Sequence, residues 1–212
     1  MNIVLLGFPG AGKGTQAVKL EEKYDFRHIS TGDLIRSEIA KGTPLGKQVS
    51  AEIKKGNLVP DELIIGILEN VIKNEKKGII FDGFPRTVFQ AETLDKYLAQ
   101  HGSKIDSVIV LELSEEEVLR RLTSRRICKK CGAIYNIYAK DYTGVCVKCG
   151  GELYTRPDDT LQSARHRLEV FKKETEPLLS YYGKTQSCKK VDGSKTIEEV
   201  FSSVVKALGL IK

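Results

Sequence analysis

The chain alternates short strand-like segments with longer segments in which apolar residues recur every three or four positions. The strand-like segments are residues 3–6, 26–29, 79–82, 107–113 and 187–192. The segments with helical periodicity are residues 16–24, 34–39, 45–55, 60–75, 87–100, 114–124, 160–176 and 196–208. Because apolar strands that alternate with helices are typical of parallel sheets covered on both faces, the pattern predicts an α/β fold.

A glycine-rich loop joins the first strand to the first helix. Gly7, Gly12 and Lys13 fit the phosphate-loop pattern G-x-x-x-x-G-K, and they stand between a strand and a helix, as this motif requires. Its backbone N–H groups and the helix N-terminus would surround an anion, and Lys13 would reach the outer phosphates of a nucleotide. Gly14 stands where the general pattern has the Ser or Thr that binds magnesium, and the hydroxyl comes at Thr15. The alternative is a glycine-rich turn without a ligand.

A carboxylate and an arginine follow the strand-like segment 79–82. An Asp at such a strand end helps to hold magnesium in phosphate-loop enzymes, which makes Asp82 a candidate for that role. Arg86 comes next at the same predicted sheet edge, where open α/β sheets bind their ligands. A solvated strand-end carboxylate is the alternative for Asp82, and a solvated basic helix face is the alternative for the arginines at 120–126.

Four of the five cysteines form two C-x₂-C pairs that are separated by 14 residues: Cys128, Cys131, Cys146 and Cys149. Four thiolates at this spacing favour tetrahedral zinc, with iron or cobalt as alternatives. A complete Cys₄ shell leaves no open coordination position, so we expect the metal to stabilise the fold and to take no part in chemistry. The fifth cysteine, Cys188, has no partner at ligand spacing and is predicted to be an inert thiol.

Composition and charge narrow the class of protein. The 212 residues are 41% hydrophobic and 29% charged, which is typical of a globular protein with one sizeable core. The net charge of +6 suits anionic ligands, among them nucleotides. The apolar run at the N-terminus is too short for a signal peptide, and no run is long enough to span a bilayer, so we expect a cytoplasmic protein with reduced thiols.

Taken together, these motifs and three further ones resemble the adenylate kinase family in its long, zinc-containing bacterial form, over essentially the whole chain. The further motifs are Ser30-Thr31-Gly32-Asp33, Arg125-Arg126, and Arg156-Pro157-Asp158-Asp159 with Arg165-His166-Arg167. The resemblance implies a three-layer phosphate-loop fold with a central five-stranded parallel sheet. It also implies a core of residues 1–29, 60–123 and 162–212, an AMP-binding lobe at 30–59 and a zinc-containing lid at 124–161.

The resemblance implies an activity and a set of site residues. The reaction would be reversible transfer of the terminal phosphoryl group of Mg-ATP to AMP, giving two ADP. Catalytic roles would fall to Lys13, Arg86, Arg125, Arg156, Asp158, Asp159 and Arg167. ATP would be bound by Gly10, Ala11, Gly12, Lys13, Gly14, Thr15, Arg121, Arg125, Ile134, Tyr135 and Lys195. AMP would be bound by Thr31, Arg36, Asn57, Leu58, Val59, Gly83, Phe84, Pro85, Arg86, Gln90, Arg156 and Arg167.

Members of this family also have a glycine at the position of Gly14 in the phosphate loop. The resemblance therefore implies that magnesium is held through waters and phosphates, with Asp82 acting through water. A monomer that binds neither nucleic acid nor membrane is expected. Three alternatives stay open at this point: a kinase for UMP, CMP or GMP, a plain nucleotide hydrolase, and a nucleic-acid-binding protein with a zinc-ribbon-like segment.

Overall fold

The strand-like segments form one parallel sheet in the computed structural model, which describes residues 1–55, 57–73, 75–139, 142–185 and 188–210. Its strands are β1 (Ile3–Gly7), β2 (Arg27–Ser30), β3 (Ile79–Asp82), β4 (Ser107–Glu112) and β8 (Cys188–Asp192). They lie in the order β2-β3-β1-β4-β8, and every pairing is parallel. The predicted α/β class with a five-stranded parallel sheet is therefore confirmed.

Helices cover both faces of this sheet. They are α1 (Lys13–Tyr24), α2 (Thr31–Lys41), α3 (Pro44–Lys55), α4 (Asp61–Ile72), α5 (Val88–Gln100), α6 (Glu115–Ser124), α7 (Leu161–Val170), α8 (Pro177–Thr185) and α9 (Ile197–Leu208). The central strand β1 shows how the two layers divide, because successive side chains of a strand point to opposite faces. Val4 and Leu6 pack into the layer that contains α4, α5 and α8, whereas Ile3 and Leu5 pack against α1 and α9.

The segment 30–59 consists mainly of α2 and α3, which pack on each other at close range. A Cβ added to Gly46 of α3 would lie only 2.2 Å from the Glu38 carbonyl oxygen of α2, so this crossing requires a glycine. Ile35 and Val49 are the side chains that α2 and α3 bury most deeply in the apolar layer of the main sheet. The segment therefore has little core of its own.

Residues 125–154, which we call the four-cysteine lobe, contain a second, smaller sheet. Strands β5 (Arg125–Cys128), β6 (Ile134–Asn136) and β7 (Leu153–Tyr154) pair antiparallel in the order β6-β5-β7. The alternative that places the arginines at 120–126 on a solvated helix face is wrong for Arg125 and Arg126. The helix α6 ends at Ser124, and both arginines belong to β5.

The C-terminal third also differs from the predicted helix at 160–176. The helix α7 is followed by a π-helical turn, Phe171–Thr175, and then by α8, which the periodicity did not identify. The predicted helix at 60–75 is shorter in the structure, since α4 ends at Ile72. Gly56 and Ser187, at the ends of a predicted helix and a predicted strand, and Asn74, inside the predicted helix 60–75, lie outside the described residues. Within the described ranges, no helix is both long and apolar enough to cross a membrane.

Candidate active site

The glycine-rich loop between β1 and α1 is shaped by glycines in left-handed conformations. Gly10 and Gly12 have φ of 85° and 96°, and a Cβ on Gly7 would lie 2.6 Å from the Leu111 carbonyl oxygen of β4. Gly12 is the N-cap of α1 and has no side chain with which to cap it. The first N–H groups of α1 therefore face the space above the loop, which is an arrangement that binds anions.

Lys13 points back into this loop. Its Nζ donates hydrogen bonds to the carbonyl oxygens of Gly7 at 2.7 Å and Phe8 at 2.9 Å. Burial lowers the pKa of the Lys13 ammonium to about 8, an effect that the Asp82 carboxylate partly offsets and that Arg86 reinforces. A buried ammonium surrounded by other cations is stabilised by any anion that enters the space in front of it.

Asp82 ends β3 directly beside the loop. A Cβ on Gly14 would come within 3.2 Å of Asp82 Oδ2, so a Ser or Thr at position 14 would crowd the carboxylate. This contact gives a physical reason for the departure from the general loop pattern. The same oxygen lies 3.3 Å from His28 Nε2, and the side chain of Asp82 is 13% exposed. A single carboxylate at the edge of a phosphate site fits a magnesium ion that is held mainly by waters and phosphates.

Six arginines line the larger cavity beside the loop, and two aspartates hold two of them in place. Asp159 accepts hydrogen bonds from both Nε and Nη2 of Arg125, the first at 2.8 Å. Arg167 Nη1 lies 3.2 Å from Asp158 and 3.5 Å from Asp159. Burial, followed by repulsion from Arg125, lowers the pKa values of Arg156 and Arg167 to about 10. Both aspartates are buried, and their contacts hold the Arg125 and Arg167 guanidiniums in fixed orientations.

Two cavities adjoin this cluster. The larger has a volume of about 460 Å³, and its lining contains the predicted ATP residues: Gly10, Ala11, Gly12, Lys13, Gly14, Thr15, Arg121, Arg125, Ile134, Tyr135 and Lys195. The smaller has a volume of about 50 Å³ and is lined by Thr31, Arg36, Asn57, Leu58, Val59, Gly83, Phe84, Arg86, Gln90, Asp158 and Arg167. Pro85 and Arg156 line the larger cavity. The two cavities share Arg36, Leu58, Gly83, Arg86 and Arg167, among others.

Several polar groups in and beside the smaller cavity are already paired with protein atoms. Thr31 Oγ1 and Arg86 Nε both donate to the Gly83 carbonyl oxygen at 2.8 Å. His166 Nε2 lies 2.6 Å from Asn57 Oδ1, and Asp33 pairs with Arg36. A ligand of any size would have to exchange these internal contacts for its own.

Sequence reasoning missed several residues of the site. Phe171 and Thr175, from the π-helical turn, line the larger cavity, and the Phe171 ring packs 4.6 Å from that of Phe8 in the phosphate loop. Phe8 was the available signal, because an aromatic side chain in a phosphate loop needs a packing partner. Asp61, which binds Gln90 from behind, gave no sequence signal beyond its place at a helix start.

The four cysteines of the lobe converge. The Sγ atoms of Cys128 and Cys149 are 3.5 Å apart, as are those of Cys131 and Cys146, and all four lie within 4.8 Å of one another. Tetrahedral zinc with bonds of about 2.3 Å requires sulfur–sulfur distances of about 3.8 Å, so the set fits this metal. Gly132 and Gly150, each of which follows a C-x₂-C pair, have φ of 73° and 67°, which allows a tight turn after each pair. Tyr135, which lines the larger cavity, places its hydroxyl 3.2 Å from Cys146 Sγ.

Known proteins resemble this chain over almost its full length. The family model described as adenylate kinase matches residues 5–187. The adenylate kinase of Elusimicrobium minutum (strain Pei191) is 50% identical over 208 residues, which cover 97% of each chain. That of Archaeoglobus fulgidus (strain ATCC 49558 / DSM 4304 / JCM 9628 / NBRC 100126 / VC-16) is 50% identical over 216 residues and covers 100% of each. That of Carboxydothermus hydrogenoformans (strain ATCC BAA-161 / DSM 6008 / Z-2901) is 48% identical over 212 residues, 98% of this chain and 99% of the relative.

Proposed function

Because the chain belongs to the adenylate kinase family, which catalyses the reversible conversion of ATP and AMP into two ADP, we propose that it transfers the phosphoryl group directly and in line from Mg-ATP to AMP. The observation that supports this mechanism is the convergence of one ammonium and several guanidiniums on a single cavity. Lys13, Arg125 and Arg156 line the larger cavity, and Arg86 and Arg167 line both cavities.

This arrangement suits phosphoryl transfer because the reaction needs little covalent help from the protein. The phosphoryl group in transit carries its charge on peripheral oxygens, so catalysis consists mainly of positioning and electrostatic stabilisation. Planar guanidiniums can hold phosphate oxygens through two parallel hydrogen bonds. An AMP phosphate oxygen is already anionic, so the mechanism needs no strong general base.

Each phosphate-binding group has a defined starting position. The N–H groups at the start of α1 receive the ATP phosphates, and Lys13 turns from the carbonyl oxygens of Gly7 and Phe8 toward the incoming anion. Asp159 keeps Arg125 in place through two hydrogen bonds. Arg156 has a buried Nε that lacks a hydrogen-bond partner within the described part of the chain, which leaves it ready for a phosphate oxygen.

Magnesium bound to the ATP phosphates would neutralise charge on them during transfer. Asp82 is the residue that would hold it, through water, since Gly14 gives the loop no hydroxyl at the usual ligand position. Thr15 lines the same cavity and contributes its backbone N–H to the phosphates.

The smaller cavity is the proposed AMP site. Arg36, Arg86, Arg156 and Arg167 bind the AMP phosphate, and Gln90 with Thr31 faces the base. Segments 30–59 and 124–161 serve as two lobes that close on a core made of 1–29, 60–123 and 162–212. Lid closure that excludes water is a general property of adenylate kinases, and it protects bound ATP from hydrolysis.

Zinc in the Cys₄ site has a structural role in this proposal. The four thiolates complete a tetrahedral shell and leave no position for a substrate. Tyr135 links the thiolates to the larger cavity directly, since it touches Cys146 and lines the cavity. The metal thus fixes the shape of a wall of the ATP site.

The proposal is tested by a coupled assay for ADP made from Mg-ATP and AMP. We expect Lys13→Met to lower turnover by at least about 10²-fold, since it removes a full positive charge from the transferring phosphates. Lys19→Met is the matched control, because Lys19 lies on the same helix but pairs with Glu198 at 2.8 Å. Phosphate release from ATP that does not depend on AMP would instead identify a hydrolase.

A further inference from the structure

Gln90 is buried behind the proposed AMP site, and both ends of its amide are held. It lines the smaller cavity and is 2% exposed. Its Oε1 accepts a hydrogen bond from the backbone N–H of Arg86 at 2.7 Å, and its Nε2 donates to Asp61 Oδ1. Each contact uses one of the two lone pairs or one of the two hydrogens, so one acceptor and one donor position are left for a ligand.

The two contacts fix which way round the amide lies. An amide is nearly symmetrical in shape, and its orientation is decided by its hydrogen-bond partners. The Asp61 carboxylate is an acceptor only, whereas the Arg86 N–H is a donor only. Turning the amide over would place Oε1 against a carboxylate and the NH₂ group against another N–H, which leaves buried polar groups unpaired.

This fixed orientation presents a directional pattern to the base of a nucleotide. A 6-aminopurine offers a donor at its exocyclic amine and an acceptor at the adjacent ring nitrogen. A 6-oxopurine offers the reverse, an acceptor at the oxygen and a donor at the ring nitrogen. A freely turning glutamine could pair with either base, whereas a fixed one pairs with only one of them.

We propose that Asp61 is a positioning residue that determines the preference for 6-aminopurine over 6-oxopurine nucleoside monophosphates, by preventing the Gln90 amide from turning over. This inference rests on the proposed function, because it assumes that Gln90 faces the acceptor base. Asp61 does not line either of the two described cavities, so it acts through Gln90 and not by touching the substrate.

Asp61 also has an ordinary structural role, which the test must separate. It is the first residue of α4, where a carboxylate is favoured by the helix dipole, and its Oδ2 accepts a hydrogen bond from Thr87 Oγ1 at 3.3 Å. Glu62 shares the first turn of α4 and is exposed. Glu62→Gln therefore removes the same charge from the same helix end without touching Gln90.

The experiment compares AMP with inosine monophosphate, which differs from AMP only in carrying the 6-oxo pattern. With Mg-ATP as donor, the ratio of kcat/KM for AMP to that for inosine monophosphate is measured for the wild type, Asp61→Asn, Asp61→Ser and Glu62→Gln. The carboxamide introduced by Asp61→Asn can meet either end of the Gln90 amide, so only the Arg86 N–H still favours the original orientation. Because one of the two orienting contacts is lost, we expect this variant to lower the ratio by at least about 10-fold. We expect the change to lie mainly in the two KM values. The Ser variant provides the same comparison if the Asn variant does not fold.

The outcomes distinguish this inference from the proposed function. If the AMP-to-inosine-monophosphate ratio of kcat/KM stays unchanged in both folded Asp61 variants, even with an equal loss for both acceptors, the role of Asp61 is overturned. The proposed function then still stands. A wild-type protein that makes no ADP from AMP would overturn the proposed function itself. A ratio that falls equally in Glu62→Gln would assign the effect to the helix end and also overturn the inference.

Discussion

The main sheet and the four-cysteine lobe reach stability by different means. In β1, the side chains from Ile3 to Leu6 are at most 3% exposed, and both faces of the strand pack into large apolar layers. In the four-cysteine lobe, Ile127 is the one aliphatic side chain that the described residues bury, while Tyr138, Val145 and Val147 are 65%, 53% and 67% exposed. The lobe therefore cannot rely on apolar burial, and four convergent thiolates take its place.

This difference bears on movement. An apolar layer resists separation because water must enter wherever it opens, whereas a metal cross-link stiffens a small unit internally. The ion pair that joins the lobe to α1, Lys148 to Glu22 at 3.3 Å, is exposed at both ends and of a kind that contributes little stability. If the lobe serves as the proposed lid, we expect it to move as a stiff unit over a core that does not deform.

Loss of the metal should produce the largest difference in stability between the main sheet and the four-cysteine lobe. We expect Cys128→Ser with Cys131→Ser to abolish metal binding and to give a separate low-temperature unfolding transition for the lobe, because structural zinc contributes about 10 kcal/mol or more to folding of such units. Calorimetry and metal analysis measure both effects. Turnover well below the new transition should be largely retained.

Cys188→Ser is the matched control, since Cys188 lies in β8, on the main sheet. It should change neither metal content nor the number of transitions. A severe loss of turnover in the double variant at unchanged melting temperature would contradict a purely structural metal.

Two substitutions to alanine test whether apolar burial stabilises the main sheet but not the four-cysteine lobe. Phe81→Ala in β3 removes a fully buried ring and should lower the free energy of unfolding by about 3–5 kcal/mol. Val147→Ala in the lobe removes an exposed side chain and should change it by less than about 0.5 kcal/mol. Urea unfolding measures both, and comparable losses would show that the lobe has an apolar core after all.

The two regions also differ in how far their sequence predicted them. The strands of the main sheet and the phosphate loop could be predicted because apolar runs, glycines and Lys13 are local signals. The cysteine spacing predicted the metal set in the same way. The helix α8 was missed because the π-helical turn Phe171–Thr175 and then Pro177 continue directly from α7, although a proline at a helix start was an available signal.

Pairings between distant residues could not be predicted. Arg125 takes Asp159 as its partner and Gln90 takes Asp61, contacts that span 34 and 29 positions and depend on how the elements pack. The resemblance to a family supplied the expected roles of such residues, but not the contacts that orient them. These orienting residues are where the structure adds most to the site.

The lowered pKa of Lys13 predicts how the free energy of unfolding depends on pH. Burial lowers its pKa in the folded protein to about 8, below the ordinary value of 10.5, so the unfolded chain binds more protons between these values. The cost of burying the ammonium is therefore present below pH 8 and disappears as the pH rises toward 10.5, and stability should increase by on the order of 3 kcal/mol from this group. Lys13→Met removes the buried ammonium and its cost. Any stability that the variant gains over the wild type at pH 7 should therefore shrink or disappear as the pH rises toward 10.5. A difference that stays constant from pH 7 to pH 10 would contradict the lowered pKa.

The smallest expected effect concerns Gln16, a buried polar residue of α1 that lines the larger cavity. Gln16 is 2% exposed, its Nε2 donates to the Ile197 carbonyl oxygen at 3.2 Å, and its Oε1 has no partner among the residues that the structure describes. Gln16→Leu loses one hydrogen bond but removes an unpaired buried oxygen and adds apolar contact with the layer between α1 and α9. Because an unpaired buried group costs about 1–3 kcal/mol and a hydrogen bond contributes about 1, we expect a gain in stability of about 1 kcal/mol. Melting curves of this variant and of Gln16→Glu, which keeps an acceptor and adds a buried charge, should move in opposite directions. A loss of stability in the leucine variant would show that a water or a ligand satisfies the Gln16 oxygen. This buried position would then need a polar contact.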